Sequence, residues 1–361
     1  MDDQFCQYCQ QGPFESVMTR KIHEQQFCSD APSRTPTQEA SQAWGVDQPS
    51  VFETQLGQSG SSINEEVKEN WSKETGRVTR LLFYNPDPNF LVSSRLQAKL
   101  ERIHAMRQQE PQKIWLVGDA GTGKTSLALQ FAAVTKSPCL KCPCPAMTEV
   151  SQWMGRTEYH PERGTHYIPS LFIEAVETPG TVIILNDITR VENPKVLNPL
   201  MDITDETGST WSDELGREVR VAEGVVFIAT SNEGWEYTGA DDPDAALKER
   251  FDVIHMPLPP KAQLKEIVAR KVGSSPEIDA AVEFFLQCLS KGIRMSLRHV
   301  LRMCKDIKYG ASLVDAAVLS AIGDMDKDQQ QEALQILQVQ SSSISGLADI
   351  INADESWGEW Q

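Results

Sequence analysis

The sequence lacks the features that direct a chain into or across a membrane. It contains no run of about 18 apolar residues, and residues 1–9 are polar and acidic where a secretory signal needs basic residues followed by an apolar stretch. Basic residues are also scarce, since 34 Lys and Arg are set against 51 Asp and Glu, which gives a net charge of −17. That charge repels nucleic-acid phosphates and disfavours a non-specific DNA or RNA coat protein. We therefore expect a soluble, cytoplasmic protein.

The composition changes several times along the chain. Residues 1–30 hold three cysteines and a histidine, and residues 31–75 are rich in Ser, Gln, Thr, Pro and Glu, which is typical of a disordered linker. Short apolar runs then alternate with helix-like patterns over 76–258, which predicts an α/β fold with a mostly parallel sheet sandwiched by helices. Helical periodicity alone follows and predicts a small all-helical lid over 259–338. An acidic flexible tail is predicted for 339–361.

One motif is stronger than any other in the sequence. The pattern G-x-x-x-x-G-K-T lies between an apolar run and a helix-forming stretch. Its glycines allow a tight turn in which successive N–H groups point at phosphate oxygens, and the following helix adds partial positive charge. Lys124 would contact the β and γ phosphates of ATP, and Thr125 would offer its hydroxyl to Mg²⁺. The alternative is a chance glycine-rich turn. The predicted nucleotide-binding residues are Gly118, Asp119, Ala120, Gly121, Thr122, Gly123, Lys124, Thr125 and Ser126.

Two further apolar runs end in polar side chains. Residues 181–190 read as a buried strand that ends at Asn186 and Asp187, which is where such sheets place a metal-binding carboxylate. Residues 225–232 form another such run and end in Asn232, which would be well placed to orient an attacking water. These side chains predict a catalytic edge beside the glycine-rich loop.

The combined motifs resemble the AAA+ ATPases of the MoxR-like branch, which includes the cobaltochelatase small subunit and the rubisco-activating CbbQ type. The resemblance covers roughly residues 78–310. In that family the second motif reads Asp-Glu-Ile-Asn-Arg, whereas residues 185–190 read Leu-Asn-Asp-Ile-Thr-Arg. The resemblance therefore places Asn186 at the metal-binding position and Asp187 at the position of the catalytic Glu. Alternatively, Asp187 supplies the Mg²⁺ contact after a small shift of register. Active hydrolysis and an ATP-binding but slow or inactive subunit both remain open.

The resemblance also assigns catalytic roles to three more residues. It implies that Asn232 is the sensor-1 residue, that Arg250 in Glu-Arg-Phe is an arginine finger, and that Arg298 is the sensor-2 residue. An arginine finger reaches the γ-phosphate of the neighbouring subunit and stabilises charge in the transition state, so oligomerisation becomes part of catalysis. The alternatives are an ordinary surface ion pair for Arg250 and a solvated side chain for Arg298. A homo-oligomeric, hexameric ring is implied, working beside a partner that carries a von Willebrand A domain.

Two insertions of that family match segments of this sequence. Residues 153–167 look like an insert in the second helix, and residues 206–217 look like a hairpin before sensor 1. By resemblance both face the ring pore, where their aromatic side chains would grip a client protein. The alternative is a pair of solvated loops with Trp211 turned inward.

The cysteines at the start of the sequence have the spacing of metal ligands. Cys6, Cys9, His23 and Cys28 are close to the spacing of a ββα zinc finger, so we expect a closed tetrahedral Zn²⁺ site of the C2HC type. Unconnected thiols on a disordered arm are the alternative. The segment lacks the excess of basic residues of a DNA-reading module, so a protein contact is the favoured role.

The remaining cysteines fit thiols better than metal ligands. Cys139, Cys142 and Cys144 are clustered but have no fourth ligand nearby in the sequence, and we expect them to be half-buried in a strand. Cys288 and Cys304 occupy apolar positions of lid helices and are predicted core residues.

Taken together, the sequence predicts a ring-forming AAA+ ATPase that couples ATP binding and hydrolysis to the remodelling or assembly of a protein client. ATP, Mg²⁺ and Zn²⁺ are the predicted cofactors. A nucleic-acid translocating motor and an ATP-gated scaffold with little turnover are the alternatives.

Overall fold

A computed structural model describes residues 62–160, 164–213, 215–232 and 245–341 of the chain. The zinc module predicted for residues 1–30, and with it Cys6, Cys9, His23 and Cys28, lies outside these described residues. Within the described ranges, no helix is both long and apolar enough to cross a membrane.

Nine strands are described. They are β1 (Gln112–Gly118), β2 (Cys139–Pro143), β3 (Gly155–His160), β4 (Gly164–Pro169), β5 (Val182–Asn186), β6 (Ser209–Ser212), β7 (Arg217–Arg220), β8 (Val226–Asn232) and β9 (Asp252–His255). Five of them form one parallel sheet in the order β2-β5-β8-β1-β9. The other four form two antiparallel hairpins, β3–β4 and β6–β7.

Twelve α-helices are described along the same ranges. They are α1 (Glu65–Thr75), α2 (Ser94–Met106), α3 (Lys124–Val134), α4 (Ser151–Met154), α5 (Leu171–Glu177), α6 (Asn198–Ile203), α7 (Ala245–Glu249), α8 (Lys261–Lys271), α9 (Pro276–Ser290), α10 (Leu297–Lys308), α11 (Leu313–Ser320) and α12 (Lys327–Ser341).

The central strands are apolar on both faces because both faces are covered. Successive side chains of a strand point to opposite faces, and in β1 Trp115 and Val117 pack into one core while Ile114 and Leu116 pack into the other. Continuous apolar strands of this kind are typical of parallel sheets covered by helices. The predicted α/β fold with a sandwiched parallel sheet is thus confirmed.

The register of the sheet brings the ends of its strands together. Gly118 at the end of β1 pairs with Asn232 at the end of β8, and Pro143 at the end of β2 pairs with Asn186 at the end of β5. Since all these strands run parallel, the segments that follow them leave the sheet at one edge. Ligands of open parallel sheets bind at this carboxyl edge.

The linker predicted for residues 31–75 is wrong over its last part, where α1 forms. The Asn64 side chain accepts a hydrogen bond from the Val67 N–H at 2.9 Å and caps the helix, and Gly76 ends it in the left-handed conformation. Trp71 then packs on Phe83, with ring centroids 5.7 Å apart. The caps and one aromatic contact therefore hold a helix whose polar composition suggested a linker.

The chain after the sheet is a helical bundle with its own core. Helices α8 to α12, called the lid here, bury a separate apolar cluster. The strongly amphipathic α10 places Val300, Met303, Cys304 and Ile307 on its buried side. Helix α12 continues to Ser341, so the first residues of the predicted flexible tail are helical, because Ala333 and Leu337 earlier in the same helix are buried in the lid core. The rest of the tail lies outside the described residues.

Candidate functional site

The carboxyl edge of the sheet brings three predicted segments together. The glycine-rich loop follows β1, the Asn186–Asp187 pair follows β5, and Asn232 ends β8. Strands β5, β8 and β1 are consecutive neighbours in the sheet. The sequence motifs therefore meet in space, although the ends of β1 and β8, residues 118 and 232, are 114 positions apart in the sequence.

The backbone of the loop requires glycine at two of its turns. Gly121 and Gly123 have φ values of +81° and +94°, a region that side-chain-bearing residues rarely adopt. Gly123 lies in the left-handed conformation immediately before α3. Gly118 meets a different constraint, since a Cβ there would overlap the carbonyl oxygen of Met256 beside it. The loop thus turns sharply into the N-terminus of an eleven-residue helix, where N–H groups and partial positive charge favour an anion.

Lys124 is buried and held by the loop itself. Its ammonium group donates to the carbonyl oxygens of Gly118 at 2.8 Å and Asp119 at 2.7 Å, and to the Thr122 hydroxyl at 3.4 Å. Only 6% of the residue is exposed. A buried ammonium needs such partners because an unpaired charge is costly to remove from water. The loop therefore holds the Lys124 ammonium group beside the turn whose N–H groups would bind phosphates.

A hydrogen bond joins the loop to the second motif. The Thr125 hydroxyl donates to the Asn186 side-chain oxygen at 2.7 Å, and the Asn186 amide nitrogen donates to an Asp187 carboxylate oxygen at 3.0 Å. Both members of the pair are half-buried. The residue in contact with Thr125 is thus Asn186, and Asp187 lies one position further along the same chain of hydrogen bonds.

Asp187 has an unusual backbone conformation. Its φ and ψ are 54° and 49°, in the left-handed region, and its N–H donates to the Thr230 hydroxyl of β8 at 3.0 Å. Aspartate tolerates this region better than most residues, yet still at some cost. The tie to β8 fixes the direction in which the pair leaves the sheet.

Asn232 is at the end of a fixed strand. The preceding residue, Ser231, accepts a hydrogen bond from the buried Trp115 ring nitrogen at 2.8 Å. Asn232 itself is half-buried and pairs in register with Gly118. Its side chain therefore belongs to the same edge as the loop.

The lid reaches the loop through the start of α10. A Cβ on Gly121 would lie 3.1 Å from the Ser296 Cβ and 3.5 Å from the Arg298 Cγ. The His299 ring nitrogen accepts a hydrogen bond from the Ser296 N–H at 3.1 Å, which closes the first turn of the helix. Arg298 is exposed and so presents a cation beside the loop.

A cavity of about 1020 Å³ opens between the loop, the lid and the segment before α2. Gly121, Gly123 and Arg298 line it, together with residues that the sequence did not single out. Those residues include Phe90, Leu91, Val92, Pro257, Leu258, Pro259, Pro260, Gln263, Ile267 and Leu297, and the basic side chains of Arg95, Lys99, Arg102 and Lys271. Most are apolar, as expected of the part of a ligand site that holds a flat ring system. They come from three distant segments and carry no motif, so only their proximity to the loop identifies them.

The contacts of Arg250 are with residues other than those of the glycine-rich loop and the Asn186–Asp187 pair. Its guanidinium donates to the Ala246 carbonyl oxygen, and one nitrogen is 3.9 Å from an Asp205 carboxylate oxygen. Its Nε atom is buried and has no hydrogen-bond partner among the described residues. The neighbouring Phe251 packs edge-on against Trp115, with ring centroids 5.6 Å apart, and this anchors the segment in the core.

Both predicted insertions form hairpins, and each presents one exposed aromatic side chain. Tyr159 on β3 is 74% exposed, and Trp211 on β6 is 62% exposed. The Trp211 ring nitrogen donates to Asp213 at 2.8 Å rather than to the core. Trp211 is therefore turned outward, and the inward alternative is wrong. Trp153, in contrast, is fully buried against Phe172.

The clustered cysteines are buried thiols. Burial raises the pKa of Cys142 to about 12 and the pKa values of Cys139 and Cys144 well above their usual range. Burial likewise raises the pKa of Cys288 and of Cys304 to about 12 in the lid core. Among the described residues, no group of three or more His, Cys, Asp or Glu side chains is arranged as a metal site.

The donor set at the sheet edge fits Mg²⁺ and a nucleoside triphosphate. The hydroxyl of Thr125, the amide oxygen of Asn186 and the carboxylate of Asp187 are oxygen ligands of the kind Mg²⁺ prefers. A magnesium ion usually takes only one or two carboxylates and completes its shell with phosphate oxygens and water. The loop and Lys124 match the phosphates, and the apolar cavity matches the base.

Comparison with known proteins gives a consistent result. A family model described as an AAA domain of the dynein-related subfamily matches residues 113–251. "Putative chaperone BssE" of Thauera aromatica is 35% identical over 259 residues, which is 70% of this chain and 90% of that protein. An uncharacterized protein of Staphylococcus aureus (strain USA300) is 24% identical over 236 residues, covering 61% of this chain and 87% of that protein.

Among solved structures, a RuvB variant from Thermotoga maritima is 17% identical and aligns with a TM-score of 0.43. The alignment covers 70% of this chain and 71% of that one.

Proposed function

The chain belongs to the AAA family of P-loop ATPases, and from that premise we propose that it assembles into a ring that couples ATP binding and hydrolysis to the remodelling or assembly of a protein client. The observation that carries the proposal is the hydrogen bond from Thr125 to Asn186. It joins the glycine-rich loop to the second motif at the sheet edge, so that a phosphate held by the loop would lie beside the Asn186–Asp187 pair.

In the proposed reaction the residues at the sheet edge bind the phosphates, hold the metal ion and position the attacking water. The loop N–H groups and Lys124 bind and orient the β and γ phosphates, and Arg298 on the lid closes over them. Thr125, Asn186 and Asp187 would hold Mg²⁺, and the ion when bound would neutralise charge that develops on the phosphate oxygens. Asp187 is also the carboxylate available as a base for the attacking water, which Asn232 orients. The assignment of Asn186 and Asp187 to these roles is part of the proposal.

The contacts of Arg250 support the proposed ring. Its contacts within the chain are to Ala246 and Asp205 and not to the loop. An arginine that binds the γ-phosphate of a neighbouring subunit would lie away from the phosphate loop of its own chain. Head-to-tail contacts between such subunits can close into a ring. We propose a hexamer of the MoxR-like type. A partner with a von Willebrand A domain belongs to the same proposal and is supported only by the resemblance of the sequence.

A protein client is proposed on two grounds. The name of the Thauera relative describes a chaperone, and the exposed Tyr159 and Trp211 are aromatic side chains able to contact an unfolded or protruding segment. The net charge of −17 disfavours a nucleic-acid track. A cobaltochelatase-like or CbbQ-like role is a narrower form of the same proposal.

A zinc module at the N-terminus completes the proposal. Cys6, Cys9, His23 and Cys28 would supply a closed four-ligand site whose metal stabilises a segment too short for a core of its own. The test is the zinc content of the purified chain beside a Cys9→Ser variant. We expect one zinc per chain and its loss in the variant; a wild-type chain without zinc would contradict the assignment.

The function itself is tested by Mg²⁺-dependent phosphate release at increasing protein concentration, beside light scattering with and without ATP. We expect the rate per subunit to rise as the assembly forms and then to level off. A rate per subunit that stays constant while assembly changes would contradict a neighbour-dependent site. Assembly driven by ATP without phosphate release would favour the scaffold, and stimulation by single-stranded DNA alone would favour a nucleic-acid motor.

A further inference from the structure

Arg250 is folded back onto its own chain. One nitrogen donates to the Ala246 carbonyl oxygen, one turn earlier, and a second lies 3.9 Å from the Asp205 carboxylate. The third, Nε, is buried without a hydrogen-bond partner in the described part of the chain. Only 27% of the side chain is exposed. An arginine that is to reach another subunit would have to leave this position.

Two features indicate that Arg250 is held only weakly in this folded-back position. A long, partly exposed ion pair contributes little to stability, and a buried N–H group without an acceptor carries the cost of its lost hydration. A guanidinium offers five donors, of which the oxygens of a phosphate would satisfy more than the present partners do. The resting contacts can therefore hold Arg250 in the absence of a phosphate and yield when one is presented.

Asp205 belongs to the turn that carries the second hairpin. Its other carboxylate oxygen accepts the Glu206 N–H at 2.9 Å, and its carbonyl oxygen accepts the Gly208 N–H at 3.2 Å, immediately before β6. Its own N–H donates to the Asp202 carbonyl oxygen at 3.1 Å, at the end of α6. The partner of Arg250 is thus tied to the base of the hairpin that bears Trp211.

We infer that Asp205 is a positioning residue that holds Arg250 in a resting position on its own chain, so that displacement of the β6–β7 hairpin releases Arg250 toward the neighbouring subunit. The inference rests on the proposed function, in which Arg250 acts on the neighbour's nucleotide. To that function the inference adds Asp205 as the group that restrains Arg250 and the β6–β7 hairpin as the element that controls the restraint. A client that pulls on Trp211 would then raise ATP turnover through Asp205.

The test is an Asp205→Asn variant of the full chain. Asparagine keeps an oxygen to accept the Glu206 N–H but removes the negative charge that faces Arg250. Without client, we expect turnover per assembled subunit to rise up to about fivefold, as loss of a partly exposed ion pair allows. The KM for ATP should not change, because the loop is untouched. An Asp205→Glu variant, which keeps the charge, should stay nearer the wild-type rate.

The matched control is Asp202→Asn on the same turn. Asp202 accepts a hydrogen bond from the Thr210 hydroxyl at 3.1 Å and has no contact with Arg250 among those of the described chain. This variant tests whether the loss of one acidic charge near the hairpin is sufficient by itself to raise turnover. We expect its turnover to equal that of the wild type; an equal rise in both variants would overturn the inference.

A subunit-mixing experiment separates a positioning role from a merely structural one. Chains carrying Lys124→Ala together with Asp205→Asn cannot hydrolyse ATP but still offer Arg250 to a neighbour. Mixed with wild-type chains, they should give faster turnover than chains carrying Lys124→Ala alone. In the Arg250→Ala background, Asp205→Asn should have no effect.

The two proposals fail in different ways. Wild-type turnover in an Arg250→Ala assembly would refute the neighbour-acting role of Arg250 and with it the proposed mechanism. Loss of turnover in Arg250→Ala, combined with unchanged or reduced turnover in Asp205→Asn, would leave that mechanism standing and overturn only the role of Asp205.

Discussion

Lys124 and Arg250 are both assigned to phosphate, yet their surroundings differ. Lys124 is buried and its ammonium donates to three oxygens that belong to its own loop. Arg250 has one hydrogen bond, one ion pair of 3.9 Å and one buried nitrogen without a partner among the described residues. The difference supports our proposal that the binding half of the site, the loop with Lys124, is complete within one chain, whereas the half that accelerates turnover, Arg250, acts on a second chain.

The largest effect is expected for Lys124→Ala. It removes the cation that would bind the phosphates. ATP binding should therefore weaken about 100-fold or more, and turnover should fall below detection. Binding of a fluorescent ATP analogue and phosphate release measure the two quantities. Lys141→Ala, which removes an exposed lysine from β2, is the control and should bind ATP as the wild type does. Retained binding in Lys124→Ala would remove Lys124 from the phosphate site.

Arg250→Ala should separate binding from turnover. We expect ATP affinity within about twofold of the wild type and turnover of the assembly reduced about 10³-fold, the usual contribution of an arginine supplied to a phosphoryl-transfer site. Titration of ATP and steady-state hydrolysis at a concentration that gives full assembly are the measurements. Lys248→Ala, a neighbouring exposed cation of α7, should keep its turnover. Loss of ATP affinity in Arg250→Ala would mean that Arg250 serves its own loop.

A smaller effect, confined to the binding half, is expected for Gly121→Ala. The new Cβ would lie 3.1 Å from Ser296 Cβ at a φ of +81°, so both the loop and the lid would have to shift. ATP affinity should fall about tenfold, since the strain costs roughly 1–2 kcal/mol. The control is Gly310→Ala, which carries the same kind of strain at a φ of +100° with open space around it. It should lower thermal stability but leave ATP affinity unchanged; equal losses of affinity would contradict a loop-specific effect.

The smallest effect is expected for Asn186→Asp. It replaces the amide that donates to Asp187 at 3.0 Å with a second carboxylate, so the two like charges should lower the free energy of unfolding by about 1–2 kcal/mol without Mg²⁺. MgATP should abolish the difference, and turnover should rise a few-fold. Melting curves with and without MgATP provide the measurement. Asn193→Asp, at an exposed turn, should show no dependence on MgATP, and a loss in Asn186→Asp that persists with MgATP would argue against Mg²⁺ at this pair.

The sequence predicts which segments of the binding half meet at the sheet edge, because its signals are local. The glycine-rich loop, the apolar strands and the polar residues that end them all lie in short segments, and parallel strands bring such ends to one edge. The contact of Thr125 with Asn186 follows from that arrangement. The family resemblance adds Arg250 and Arg298, whose contacts depend on elements far away in the sequence.

What the sequence could not predict depends on tertiary packing. The apolar part of the cavity joins Phe90, Pro257 and Ile267 from separate segments. Helix α1 depends on a cap at Asn64 and on packing of Trp71, neither of which changes its polar composition. The turn before β6 determines the outward position of Trp211 and the pairing of Arg250 with Asp205. No residue pattern in the sequence predicts the geometry of that turn.

The most direct test of the central claim is complementation between two inactive variants. Lys124→Ala chains lack a working loop but keep Arg250, and Arg250→Ala chains keep the loop but lack the arginine. Mixed in equal amounts under conditions that allow exchange, they should regain ATP turnover, because about a quarter of the sites in a randomly mixed ring would combine an intact loop with an intact arginine. Mixed assemblies that form and yet release no phosphate would contradict a site shared between neighbouring chains.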